Sequence, residues 1–301
     1  MEFKINRDIL LKSLNHAYGI IEKKTTLPIL SNILIEAKDS KIKITATDLD
    51  IIYSEVISLP EIIKEGSTTT SASILYDILR KLEAEANVHL SLQNANKLNL
   101  VSGNSKFNLL CISADNFPLS DEDIKQKNFQ ISSKKMLKLL NKTKVSISND
   151  ETRHYLNGIF LHKTKMENKS FLSAVATDSH RLSFSSFEIN TTTDFESIIL
   201  PKKTIFQLIL LLEQSDSDIK ISNNKSKIKF EIDAGVLISK VIDGRFPDYS
   251  KVIPRDNTKV LKIKLNEFKN SIERVITVSS DRKEGLKMNI SKDTMQLSVN
   301  S

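Results

Sequence analysis

The order strand, helix, three strands keeps returning along this chain, and that recurrence limits the fold more than any single residue does. A short strand at 3–5 leads into a helix whose apolar residues Leu10, Leu14, Ala17, Tyr18 and Ile21 share one face. Strand-like runs follow at 33–35, 41–44 and 51–57. Helical spacing comes back over 71–82 through Ile74, Leu75, Ile78, Leu79 and Leu82, and three more strands are predicted at 88–92, 97–101 and 106–112. The whole arrangement restarts at 129–131, with helices through Met136, Leu137 and Leu140 and over 202–213, and strands at 159–161, 171–176, 182–187, 218–221, 227–232 and 236–242. A third start at 261–263 has Phe268, Ile272 and Val275 at helical spacing, then strand-like runs near 286–290 and 295–299.

A module of roughly 125–130 residues written three times predicts an α+β fold of repeated domains, each with two helices packed on antiparallel β-sheet. The boundaries are placed at 1–120, 128–250 and 258–301, with proline-bearing polar linkers near 117–128 and 247–260. Measured against the first two copies, the third is expected to hold only its N-terminal part, short of a full repeat by about 80 residues. Only 7 glycines and 6 prolines serve 301 residues, so the turns must draw on Asn, Asp, Ser and Lys. Stretches 37–41, 93–97, 102–106, 222–226 and 291–294 do so, each between two alternating runs.

Composition excludes several function classes. No apolar run nears the ~20 residues of a membrane span, and the N-terminus lacks a signal-peptide layout, which reads as a soluble intracellular protein without membrane partners. The single cysteine, Cys111, sits in an alternating strand and reads as a buried small hydrophobe, so no disulfide or cysteine zinc site can be built. Histidines at 16, 89, 154, 162 and 180 show no ligand spacing, and no metal or cofactor is expected. A phosphate-binding glycine loop, His-Glu-x-x-His and a glycine-flanked serine are all missing. The net charge of +7 favours an anionic partner, of which nucleic acid is the commonest large one.

One arrangement invites an enzymatic reading: Asp178 and His180 in Ala176-Thr-Asp-Ser-His-Arg-Leu182 could form an acid-oriented base. The corresponding place in the first copy, Ala46-Thr-Asp-Leu-Asp50, keeps Thr47 and Asp48 without the histidine. Thr-Asp therefore reads as a structural turn, and His180-Arg181 as the second copy's addition. Lysines recur on the helices: Lys12, then Lys134, Lys135, Lys138 and Lys142, then Lys202 and Lys203. Spacing alone leaves two explanations open, a solvated face or a surface of ammonium groups offered to phosphates.

Five strings in register narrow the choice: Thr26-Leu-Pro-Ile-Leu-Ser-Asn32, Ala46-Thr-Asp48, Arg153-His-Tyr-Leu-Asn-Gly158, Ala176-Thr-Asp-Ser-His-Arg-Leu182 and Asp243-Gly-Arg-Phe-Pro-Asp-Tyr249. With them the whole chain resembles the bacterial DNA polymerase III β subunit family, the sliding clamps. The resemblance implies a homodimeric ring of two head-to-tail subunits, with helices lining a hole that holds duplex DNA regardless of sequence. It also implies a non-catalytic processivity factor that tethers the polymerase III catalytic subunit and meets the clamp loader through short peptide motifs. The implied location is cytoplasmic and nucleoid-associated.

Position by position, the resemblance makes Lys24, Tyr155, Lys203, Lys12 and His154 DNA-contacting residues, His154 standing where the family often has an aromatic. The partner-peptide pocket maps to Leu156, Thr177, His180, Arg181, Leu182, Pro247, Lys251 and Val252, and the subunit interface to Phe107, Leu109, Thr277 and Val278. Three departures from the pattern bear on peptide preference: Ser179 replaces a usual glycine, Lys251 an arginine and Lys283 an aromatic. An incomplete third domain is expected to close rings poorly, since the family completes both pocket and interface there. The competing readings are a non-encircling basic DNA-binding scaffold of the same modules and, last, a hydrolase using Asp178 and His180.

Overall fold

The computed structural model describes the chain except residues 23–25, 60, 95, 120–123, 125–128, 191–194, 280–284 and 300–301. Two compact units result, Met1–Phe246 and Pro247–Ser301.

The first unit opens with β1 (Glu2–Asn6), α1 (Arg7–Tyr18), β2 (Asn32–Lys38), β3 (Lys41–Thr47), β4 (Ile51–Ser58), and the three-residue β5 (Ile62–Lys64). It continues through β6 (Gly66–Ser71), α2 (Ala72–Lys81), β7 (Asn87–Asn94), β8 (Lys97–Ser102) and β9 (Ser105–Ile112). The second copy runs β10 (Phe129–Ser132), α3 (Ser133–Thr143), β11 (Gly158–Met166), β12 (Lys169–Thr177) and β13 (Leu182–Ile189). Its other half is β14 (Ile198–Pro201), α4 (Lys202–Leu212), β15 (Asp218–Asn223), β16 (Lys227–Ile232) and β17 (Gly235–Lys240).

Strand, helix, three strands is thus stated four times within Met1–Phe246. Two strands that open a half, β6 and β14, escape sequence reading. GSTTTS in β6 is polar throughout, yet Thr68, Thr69 and Thr70 are fully buried, and IILP in β14 is too short to show a period. Each helix lays its apolar stripe on the sheets. Leu10, Leu14 and Ala17 of α1, Leu75 and Leu79 of α2, Met136, Leu139 and Leu140 of α3, and Ile205 and Leu208 of α4 are all within 1% of full burial. Asn6 caps α1 by accepting from the backbone of Asp8 at 2.8 Å.

β4 joins the two copies. Its residues Ile51 to Glu55 pair antiparallel with Ser239 to Gly235 of β17, so one continuous sheet runs β10-β15-β16-β17-β4-β3-β2-β6-β9-β8-β7-β1-β5. A second sheet, β13-β12-β11-β14, completes the second copy. Gly235 is required at this joint because a Cβ there would stand 2.7 Å from the Tyr53 hydroxyl. On the helix side α2 packs on α1, α1 on α4 and α4 on α3, giving one layer of four helices, with Tyr18 of α1 stacked on Tyr76 of α2 at 4.7 Å.

In the second unit, α5 (Leu265–Ile276) and the hairpin β18 (Lys287–Ile290) and β19 (Met295–Ser298) are formed. The strand expected at 261–263 is not. Its counterparts β1 and β10 bond to β7 and β15, the first strands after each copy's second helix. Among the described residues of this unit the only ladder is β18 with β19, so 261–263 has no strand to join. Likewise none of α5 is buried.

Candidate nucleic-acid and partner surfaces

On α3, the buried stripe of Met136, Leu139, Leu140 and Thr143 fixes the opposite face, and Lys134, Lys135, Lys138 and Lys142 all stand exposed on it. Lys134 pairs with Asp216 at 2.9 Å; both ends are open to solvent, which makes the pair weak. Lys12 is exposed on α1. Lys202 opens α4 exposed, and with Lys203, Phe206, Gly19 and Gln207 it lines an open hollow of about 560 Å³. Phe206 is half exposed, with the Lys144 ammonium 5.9 Å from its ring centre. Lysines beside an aromatic on a helix layer suit phosphates and base faces without reading sequence.

Lys203 behaves differently from its neighbours. Its ammonium donates to Asp48 Oδ2 at 2.6 Å, to Glu22 Oε1 at 2.8 Å and to the Ile20 carbonyl at 2.8 Å, which uses all three of its protons. Burial works to lower its pKa, but the bonds and charges of Asp48 and Glu22 prevail and raise it. Lys203 is therefore a fixed cation tying α4 of the second copy to the first. Lys24 lies outside the described residues.

His154 and Tyr155 sit on a kinked 3-10 turn, Glu151–Leu156, in which Arg153 leaves helical geometry. The exposed His154 donates from Nε2 to the Asp243 carbonyl at 3.2 Å, its ring edge-on to Tyr155 at 5.8 Å. Next comes Leu156, buried, and then Gly158, where a Cβ would meet the Leu200 carbonyl at 2.2 Å. Only glycine lets β11 start this close to β14.

The two Thr-Asp turns are built from the same bonds. Thr177 Oγ1 donates to the Arg181 carbonyl and accepts from Ser179 N, while Asp178 Oδ1 accepts from His180 N and Arg181 N, both at 3.0 Å. Thr47 and Asp48 repeat this with Ile51, Leu49 and Asp50. Asp178 Oδ2 takes the Arg181 Nε at 3.0 Å, so both carboxylate oxygens are occupied by the turn. Burial alone would raise the Asp178 pKa, yet the Arg181 and His180 amides hold it below the usual value. The carboxylate does not orient the His180 ring, and the hydrolase geometry is not formed.

Arg153, which the sequence did not single out as a site residue, binds Asp150 at 2.8 Å and Ser179 Oγ at 2.6 Å, locking the 3-10 turn to the 177–181 turn. Phe246, buried and stacked on Phe160 at 5.0 Å, was also missed. His180 and Arg181 are exposed, Thr177 and Leu182 half-buried. Pro247, Lys251 and Val252 belong to the second unit, where Lys251 pairs with Asp248 at 3.2 Å and Val252 is 67% exposed. On β9 the Leu109 side chain enters the core, Phe107 is half-buried, and Leu110, 85% exposed, points outward. Thr277 ends α5 by donating to the Glu273 carbonyl, and Val278 beside it is exposed. Lys283 lies outside the described residues. Burial pushes the Cys111 thiol up, as suits a packing residue.

Models of the N-terminal, central and C-terminal domains of the DNA polymerase III beta subunit match residues 1–121, 130–248 and 250–301. The chain belongs to the beta sliding clamps. The beta sliding clamp of Caulobacter vibrioides is 36% identical over 303 residues, covering 99% of this chain and 81% of that protein. That of Escherichia coli K12 is 30% identical over 301 residues, covering 100% and 81%. Among solved structures, a C. crescentus beta sliding clamp superposes with a TM-score of 0.95 at 35% identity, covering 100% of this chain and 80% of the other. The Bartonella birtlesii clamp bound to griselimycin gives 0.94 at 36%, covering 99% and 80%.

A beta sliding clamp is a DNA processivity factor, the non-catalytic subunit of DNA polymerase III that encircles duplex DNA and tethers the polymerase and other partners. Membership decides against the free-standing scaffold. Among the described residues no helix is long and apolar enough to cross a membrane, and no group of three or more His, Cys, Asp or Glu side chains is placed to hold a metal.

Proposed function

We propose that this clamp turns its helix layer toward DNA and receives proteins at the 177–182 turn and at its strand edges. The observation that carries the first part is the row α2-α1-α4-α3, whose solvent face bears Lys12, Lys134, Lys135, Lys138, Lys142 and Lys202 while its other face is core. Flexible ammonium groups trade phosphates with little barrier, so the duplex is centred without being gripped. We assign DNA contact to Lys24, His154 and Tyr155 as well, and Lys203 serves the helix layer by holding α4 in place.

Partner peptides are read by Leu156, Thr177, His180, Arg181 and Leu182. Pro247, Lys251 and Val252 are assigned to peptide binding as well. Short motifs of the polymerase catalytic subunit and clamp loader are the expected ligands. Chain order supports a homodimer interface at β9. β9 and β17 close equivalent halves, and β17 gives its free edge to β4. β9 pairs with β6 in the ladder at Cys111 and Ile112, and the Thr70 hydroxyl caps the Leu110 carbonyl, leaving Phe107, Leu109 and the outward Leu110 side chain along an edge for a second copy, with Thr277 and Val278 on the other side. We assign three repeats, 1–120, 128–250 and 258–301, and a cytoplasmic, nucleoid-associated location.

Topology supplies the test. Loaded onto a nicked circular plasmid, the protein should stay through gel filtration and leave within minutes once the plasmid is cut; equal retention on circle and line would overturn encirclement.

A further inference from the structure

The joint between the first two copies contains a buried histidine whose two ring nitrogens both face oxygen acceptors. His16, 5% exposed on α1, has Nδ1 3.1 Å from Glu55 Oε2 of β4 and Nε2 2.9 Å from Gln214 Oε1, just past α4 in the second copy. A carboxylate cannot donate, and the amide oxygen likewise only accepts, so both contacts are hydrogen bonds only when both nitrogens carry protons. The Tyr53 hydroxyl spends its proton on Glu55 at 3.0 Å and presents its oxygen 3.2 Å from Nδ1.

The remaining charged groups around the ring are few. Lys12, one turn earlier on α1, and Asp233, in the turn between β16 and β17, line the same cavity of about 210 Å³ together with Tyr53, Glu55 and Gln214. A second tie runs in parallel: Gln207 of α4 donates to the His16 carbonyl. Lys203, Gln207 and Gln214 lie four and seven residues apart, so one polar face of α4 and its exit rests on the end of α1.

We propose that His16 is a proton-dependent pin, tying the second copy to the first as an imidazolium bridging Glu55 and Gln214. When the proton leaves, the carboxylate keeps Nδ1–H and the bond across the joint, Nε2–H to Gln214, is the one lost. Burial by itself would lower the histidine's pKa, but the bonds to Glu55 and Gln214 and the carboxylate charge prevail and raise it. Glu55 answers in kind: burial pushes it up, the His16 bond and charge bring it below its usual value. A raised folded pKa means the contribution is fully present below the unfolded value of ~6.5 and disappears as pH climbs through the folded one. The joint between the first two copies is therefore tightest in mild acid and loosens in alkali.

Nitrogen-15 and proton NMR of the imidazoles in the whole chain tests this without DNA, so its outcome is separate from encirclement. His16 should show two protonated nitrogens at pH 6 and a midpoint above ~6.5. Glu55→Gln should bring that midpoint below the wild-type value by a unit or more, and Gln214→Leu by less. Amide exchange over 211–214, corrected for intrinsic rates, should quicken severalfold above the wild-type midpoint and show no such step in Glu55→Gln. A wild-type His16 that is singly protonated at pH 6, or whose midpoint lies at or below ~6.5, overturns the proposal whether or not either variant folds.

Discussion

Two turns with the same sequence core and the same five backbone and side-chain bonds do different work in the two copies. At Thr47-Asp48, the second carboxylate oxygen reaches out of its own copy to Lys203, and Asp48 is only 8% exposed. At Thr177-Asp178, that oxygen folds back onto Arg181 within the turn, whose side chain is 64% exposed. One turn has become part of a joint, and the other leaves His180 and Arg181 facing solvent. The difference shows how a repeated module gains separate functions without changing its scaffold: the turn's internal bonds stay, and only the outward oxygen's partner and the three residues after the aspartate change.

The largest expected effect concerns the entry to this scaffold. Asn32 opens β2 and Gly158 opens β11 at matching register, opposite Ser71 and Pro201. Gly158→Ala puts a methyl against backbone and should cost about 3 kcal/mol in urea unfolding. Asn32→Ala, which loses a 3.0 Å bond to Thr69, should cost about 1 kcal/mol. Similar losses at both would show that the copies are not as differently packed here as the geometry requires.

Buried histidines divide the copies next. His162, stacked on Phe160 at 4.4 Å, is held neutral by burial, its pKa lowered to about 4. A depressed folded pKa keeps its stabilisation above ~6.5 and loses it as pH falls toward 4, on the order of 3 kcal/mol. His16 has the opposite sign, so acid should weaken the second copy while preserving the joint. Unfolding His162→Phe at pH 7 and pH 4.5 checks this: the variant should lose less stability in acid than the parent, and an equal loss would refute the assignment.

Smaller effects follow at the turns themselves. Leu49 and Ser179 both hold left-handed φ, 78° and 75°. Replacing either with glycine should raise stability by about 0.5–1 kcal/mol, equally in the two copies, because both turns impose the same backbone. Unequal gains by thermal unfolding would mean the outward bonds have strained one turn more than the other.

Much of this was legible in the sequence, for local reasons. The helix stripes, the hairpin turns and the shared Thr-Asp turn depend on neighbours within a few residues, and the second copy's His180-Arg181 stood out by alignment with the first. β6 and β14 were hidden because burial of threonines and of a four-residue run depends on sheets formed elsewhere. The joint was hidden for a stronger reason: His16 and Gln214 are 198 residues apart, and Lys203 lies 155 from Asp48. Lysine spacing gave Lys203 the same reading as Lys202, and only their partners separate them: Lys203 is held by two carboxylates and a carbonyl of the first copy, while the exposed Lys202 meets a single Asn149 amide oxygen. Arg153 was similarly opaque, since its bond to Ser179 spans two elements.

A pair of double-mutant cycles on unfolding free energy tests most directly whether one turn is a joint and the other a display. Removing Lys203 and Asp48 singly and together, as Lys203→Met and Asp48→Asn, should give a coupling of about 1–2 kcal/mol, because the carboxylate is buried and half the ammonium is screened. Arg181→Met with Asp178→Asn should give under about 0.5 kcal/mol, as exposed pairs do. Equal couplings in the two copies would contradict the account.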